Sequence, residues 1–395
     1  MELISKRSKR VLSERARGSG IFNRVSTLLC LLVFLFFLPT NALSFGLSDL
    51  ISDLDLTRIP GGEEYLEELV DPTADVVPAG ENISHVFQDG FGNEANLTQL
   101  GGGSFGFVEQ NGKDNWADFF QSNIGSNDSA AVLFQAGDLN RASLFSEGDG
   151  NRLLANQEGS GHMLEANQSG SGHLMLVSQA GEGQQAFISQ TGFSHIARIS
   201  QSQNSNIASI TQDGISNEAT ITQDGSGNQA DIVQARNGVI GAQDGDDDHT
   251  HGNNGHVQQN NGNHTLHCRG PQHACSDSDP LLSVPNANNF AEIYQNGDQN
   301  LASILQQGDS NTAGVSQAGN LNHADIIQNG IMNYAQVEQT GEDNFTEIIQ
   351  RGAGHSAEVF QVGNNNKAEI TQLGHDREIQ VEQFGNGRVF SIVQQ

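Results

Sequence analysis

From residue 82 onward, apolar and polar side chains alternate in short runs. In Ala219-Thr220-Ile221-Thr222-Gln223 the residues Ala, Ile and Gln share one parity, and the threonines take the other. Period two is the signature of a strand with one face turned inward. The runs restart at a fixed step of eleven. Gln recurs at 88, 99, 110 and 121, and again from 135 to 234 with Ser146 in one place, the step from 121 to 135 holding three extra residues. After a break the same series runs from Gln295 to Gln394. The unit is Q-x-G-x-x-N-x-A-x-φ-x, where φ is apolar. Across 21 regular units Gly fills the third place in all but one, where Gln203 stands.

Each unit predicts a strand of about seven residues that carries Asn, Ala, φ and Gln on its inner face. The x-G-x-x stretch predicts a tight turn in which Gly supplies a positive φ. One strand and one turn cannot bury that face alone, whereas stacked copies can. The expected fold is therefore all-β, a β-solenoid of stacked strand-turn-strand units built on the 11-residue repeat.

The tenth place should always be apolar, and it is, from Leu97, Val108 and Phe119 to Ile392. Where it is only Ala155 or Ala166, the eighth place holds Leu153 or Leu164, so large and small exchange and the inner volume is kept. Flanking Gln and Asn amides are expected to bond to the same residue one rung away. On this reading the ladder residues are Gln212, Gly214, Asn217, Ala219, Ile221, Gln223, Gly225 and Asn228, with Gln306, Gly308, Asn311, Gln328, Gly330 and Asn333 in the later series. Thirteen of the 21 units have Asn at the sixth place and four have His: His162, His173, His195 and His355. These histidines read as polar ladder residues. His173 and His195 share a ladder if a coil holds two units, so acidification through the ordinary His range is expected to place like charges on neighbouring rungs.

Composition narrows the function. Charged residues are only 16% of the 395, and 18 Lys+Arg stand against 47 Asp+Glu for a net charge of −29. No phosphate-binding face of any size can form, so nucleic acid is not an expected partner. No unit departs from the pattern to gather carboxylates or a Ser/His/Asp or Cys/His set, so neither an enzyme nor a small-molecule substrate is expected, and no cofactor.

Other segments lie outside the repeat. Residues 1–44 combine a basic stretch from Lys6 to Arg24 with the apolar run Leu28–Leu38 and read as a secretory signal. Eleven apolar residues are too few for a spanning helix, which needs about 20. Cleavage would remove seven basic and two acidic residues and leave the remainder still more acidic. Residues 45–81 form an acidic leader or N-terminal cap, with Leu47, Leu50, Ile51 and Leu54 at helical spacing. Repeat tracts occupy 82–234 and 289–395. Between them, 235–288 gathers six histidines around Cys268 and Cys275. A Cys268–Cys275 disulfide suits an oxidising compartment, whereas zinc or copper ligation by the same residues is the alternative; no closed four-ligand spacing is present. In the last two units Arg377 and Arg388 take the Asn place and Ile379 and Phe390 replace Ala, which reads either as a cap or as a docking rung.

The segment from Gln212 to Gln223, Q-D-G-I-S-N-E-A-T-I-T-Q, resembles the curlin repeat of curli fibre subunits. The resemblance covers about two thirds of the chain. It implies about 22 residues per coil, polymerisation through open solenoid ends into extracellular amyloid fibres for adhesion and biofilm matrix, and export unfolded through an outer-membrane secretion pore. Expected partners are therefore further copies, other curlin-like subunits and that pore, and the expected location is the cell surface. This chain departs from the pattern in having roughly twice the usual number of repeats, a uniform step and a long insertion. A monomeric β-solenoid surface adhesin is the alternative.

Overall fold

The computed structural model describes residues 82–123, 129–235 and 286–395, all within one compact unit spanning 71–395. The expected signal, the leader, and Cys268 and Cys275 lie outside the described residues.

Twenty-four strands, from β1 (Asn82–Phe91) and β2 (Glu94–Gly101) to β23 (Glu378–Phe384) and β24 (Val389–Gln394), are the only regular elements among the described residues. Odd-numbered strands form one twelve-stranded sheet and even-numbered strands a second, each in strict sequence order. Every pairing is parallel. Two consecutive strands thus make one coil of a β-solenoid, and twelve coils stack. Parallel strands normally need long crossover connections. Here the crossover is the opposite strand of the coil, so a two-residue corner is enough at most turns.

Register follows the repeat. Ala197, Ile199 and Gln201 stand directly under Ala219, Ile221 and Gln223, and the same alignment recurs coil after coil. Between the two sheets runs a single seam of Ala, Ile, Val and Leu, nearly all fully buried. Leu153 with Ala155, and Leu164 with Ala166, lie in that seam as the exchanged large and small pairs. Outward positions are mostly half-exposed, and aromatic rings pair across rungs in the early coils: Phe87 with Phe107, Phe107 with Phe134, and Phe120 with Phe145.

The structure differs from the sequence reading at the turn. Most strands span nine residues and run through the repeat Gly, as in β13 (Glu218–Ser226). Gly192 pairs with Gly214 inside the ladder instead of forming the bend. The bend follows two residues later at a left-handed position, Ser216 (φ 54°) after Gly214, and Asn217 then enters the next strand.

The long insertion leaves the stack undisturbed. β13 pairs with β15 (Phe290–Asn296), and β14 (Gln229–Gln234) with β16 (Leu301–Asp309), in the same register as every other rung. Partners across the insertion are 72 residues apart instead of 22. The excursion is thus in phase with the repeat, and it departs from one corner between Ala235 and Asn286.

Candidate assembly surface

What one coil offers to the next is set by three kinds of position, and each is repeated until the stack ends. The first is the Gln column. Gln212 donates from Nε2 to Oε1 of Gln234 (2.9 Å), which donates to Gln306 (2.8 Å), which donates to Gln328 (2.9 Å). Gln223 belongs to the other sheet and donates to Gln295 at 3.0 Å. In the odd-strand sheet the relay is unbroken from Gln88 to Gln383. The second amide hydrogen crosses the coil: Gln212 also donates to the Ile196 carbonyl (3.0 Å) and Gln223 to that of Ile207 (3.0 Å). Each Gln therefore joins both its sheet neighbours and the opposite sheet, a link that strand periodicity alone does not predict. These amides are fully buried, and their bonds remove the penalty that burial would impose.

The second kind is the corner. Asn217 Oδ1 accepts the backbone N–H of Asn289 (3.0 Å), Asn228 that of Asn300 (2.9 Å), Asn311 that of Asn333 (3.1 Å), and Asn333 that of His355 (3.1 Å). The Nδ2 groups reach the carbonyl of a Gly in the adjoining rung: Asn228 to Gly297, Asn311 to Gly330, and Asn333 to Gly352. Asn217 instead donates to the Asp213 carbonyl. A corner side chain thus closes the hydrogen bond that the bend denies to the backbone of the next coil.

His fills the same role with different atoms. Nδ1 of His162, His173, His195 and His355 accepts the N–H of Gln184, His195, Asn217 and Arg377 at 3.1–3.3 Å. Nε2 of each sits 2.9–3.2 Å from a carbonyl four residues back. That pattern requires the neutral ring with its hydrogen on Nε2. The His173 and His195 rings stack at 5.2 Å. Burial depresses all four pKa values, and His173, with His195 above it, falls to about 4. Gln184 and Ser129 also serve as acceptors, for Asn206 and Asn151.

The third is the Gly column. A Cβ on Gly214 would lie 1.9 Å from the Asn286 carbonyl oxygen. On Gly225, Gly308 and Gly330 it would lie 1.8–2.0 Å from the carbonyl of the Gly one rung on. At these positions close approach between rungs leaves no room for a Cβ, in addition to the positive φ, whereas Gln203 holds the same place at φ 72°. Ala219 and Ile221 complete the set as fully buried members of the seam.

Among the described residues the two sheets end in edge strands paired on one side only, β1 and β2 at one end and β23 and β24 at the other. The curlin associated repeat matches residues 203–235, 287–319, 308–341, 341–374 and 356–385. These residues are curlin repeats. No curated protein matches it. The coils before residue 203 have the same architecture as the matched curlin repeats, but they carry the departures: Ser104 and Ser129 at the corner, Ser146 in the Gln column and the exchanged Leu-Ala pairs. Fold and family are those of a structural, curli-type subunit.

Proposed function

We propose that this curlin-repeat chain is a component of curli-like extracellular amyloid fibres that act in adhesion and biofilm matrix. In this reading it is exported by its N-terminal signal and passed unfolded through an outer-membrane pore. The observation that supports it best is the in-register parallel stack itself. Gln stands on Gln at nearly every rung and Asn on Asn at most, and among the described residues the outer edges of the end strands have no partner strand. That arrangement is a cross-β template carried by a single chain, and exposed strand edges recruit further strands.

The test is co-sedimentation of fluorescently labelled chain with sheared fibrils of a curli subunit. Binding at fibril ends, with the bound chain resistant to protease over the repeat tracts 129–235 and 286–395, is the expected result. A chain that stays monomeric in the supernatant at all concentrations overturns the fibre reading in favour of a solitary surface solenoid.

A further inference from the structure

The two ends of the stack are not chemically equivalent. At every corner but one, from Asn82 and Asn93 upward, a side-chain acceptor takes the backbone N–H of the next coil. Asn, His, Gln and Ser all serve, and Ser104 is the exception. The last coil, β23–β24, carries Arg377 and Arg388 in that place. Their own N–H groups are held by His355 Nδ1 (3.3 Å) and Asn366 Oδ1 (3.0 Å), so each corner receives the relay. Neither passes it on, because a guanidinium has five donors and no acceptor.

A further coil on β23–β24 would meet three obstacles. Its two corner N–H groups would face cations instead of acceptors. It would also enclose both guanidinium groups, since the same place in covered coils is 0–1% exposed at Asn344 and Asn366. One of these groups is already spoken for: Arg377 donates to the Gln395 carbonyl. Lastly, Ile379 and Phe390 stand beside Val381 and Ile392 where most covered coils pair a fully buried Ala with the apolar place, so a further rung would press on a wider seam than most coils present. Inward-pointing charge is a known way of closing a sheet edge. The Gln relay, by contrast, continues to Gln383 and Gln394 unaltered, so the block resides in the corners and not in a general decay of the repeat.

We infer that the β23–β24 coil terminates the stack. The chain joins a curli-type fibre through its β1–β2 edge, on a coil of another curlin-repeat chain that presents Asn, Gln or His at both corners, and closes that fibre end to further addition. This rests on the fibre reading above and specifies the partner and the regulation within it.

The full chain and its R377N/R388N variant are compared by amyloid-dye fluorescence and sedimentation, with R377K/R388K as the control that keeps the charge and lacks the acceptor. The Asn variant is expected to elongate at least about tenfold faster than the wild type, the effect of one restored buried hydrogen bond. The Lys variant should behave as the wild type does. Wild-type chain added at a small fraction of the Asn variant should halt its growth. Equal elongation of wild type and Asn variant, or growth that continues past added wild type, overturns the terminating role while the fibre reading stands. If neither protein grows, the terminating role falls as well, and co-sedimentation with curli fibrils then decides whether the fibre reading falls with it. An R377Q/R388Q variant, which restores an acceptor through a different side chain, should match the Asn variant and so separates acceptor chemistry from a local folding effect.

Discussion

His162, His173, His195 and His355 each place Nδ1 where Asn places Oδ1, so each must stay neutral to accept the next coil's N–H. A protonated ring would set donor against donor. An unfolded His titrates near 6.5, whereas His173 in the fold is depressed to about 4. Between those values the unfolded chain holds the proton and the folded chain does not. Stability therefore falls as pH falls through that window, by about 1.4 kcal/mol per pH unit for His173, with the other three contributing in the same direction. Denaturant midpoints measured from pH 7 to pH 4 should decline, and H173N/H195N should lessen that decline while leaving the neutral-pH midpoint nearly unchanged. An unaltered acid profile in the double variant would count against the mechanism. Glycines of the repeat can also be told apart by what lies above them. Gly330→Ala meets the Gly352 carbonyl and should cost roughly 2–4 kcal/mol. Gly161→Asn, at φ +67° with open space around it, should stay within about 1 kcal/mol of the wild type. Thermal melting of the two variants checks the contrast.

At the level of the strand, Ser146 marks where the even-strand Gln relay is cut. It lies between Gln121 and Gln168 in register, and the buried Oε1 of Gln168 has no partner. Ser146→Gln should bridge the two and raise stability by about 1 kcal/mol, with slower amide exchange in the flanking strands β6 (Arg141–Asp149) and β8 (Met163–Ser171). Strand existence, inner face and register were all legible in the eleven-residue phase, because Gln, Ala and the apolar place repeat at fixed spacing. The reasons behind the conserved letters of the unit were not. Why Gly214 must be Gly depends on Asn286 one rung away, and what Gln212 bonds besides Gln234 depends on Ile196 in the opposite sheet. Those neighbours exist only once the coil has closed, so no local pattern carries them. The extra two residues of most strands escaped for the same reason: Gly looks like a breaker until another Gly pairs with it.

For the whole molecule, register resides in the stack and not in the length of chain between coils. Residues 236–285 number fifty, and their removal brings Gln234 and Gln295 to the ordinary step of eleven. A chain with Ala235 joined to Asn286 should keep its strand circular dichroism and its denaturation midpoint, because β13–β15 and β14–β16 already pair directly. Loss of cooperative unfolding in that deletion would show that the excursion holds the halves together. The corner relay bears on how such proteins are found. Nineteen of 21 regular units carry an acceptor-bearing side chain at the sixth place, used by the next coil in all but Ser104, but they spell it with Asn, His, Gln or Ser. An alphabet that scores those four letters as synonyms, and Arg as a full stop, would parse the first seven coils as readily as the last five.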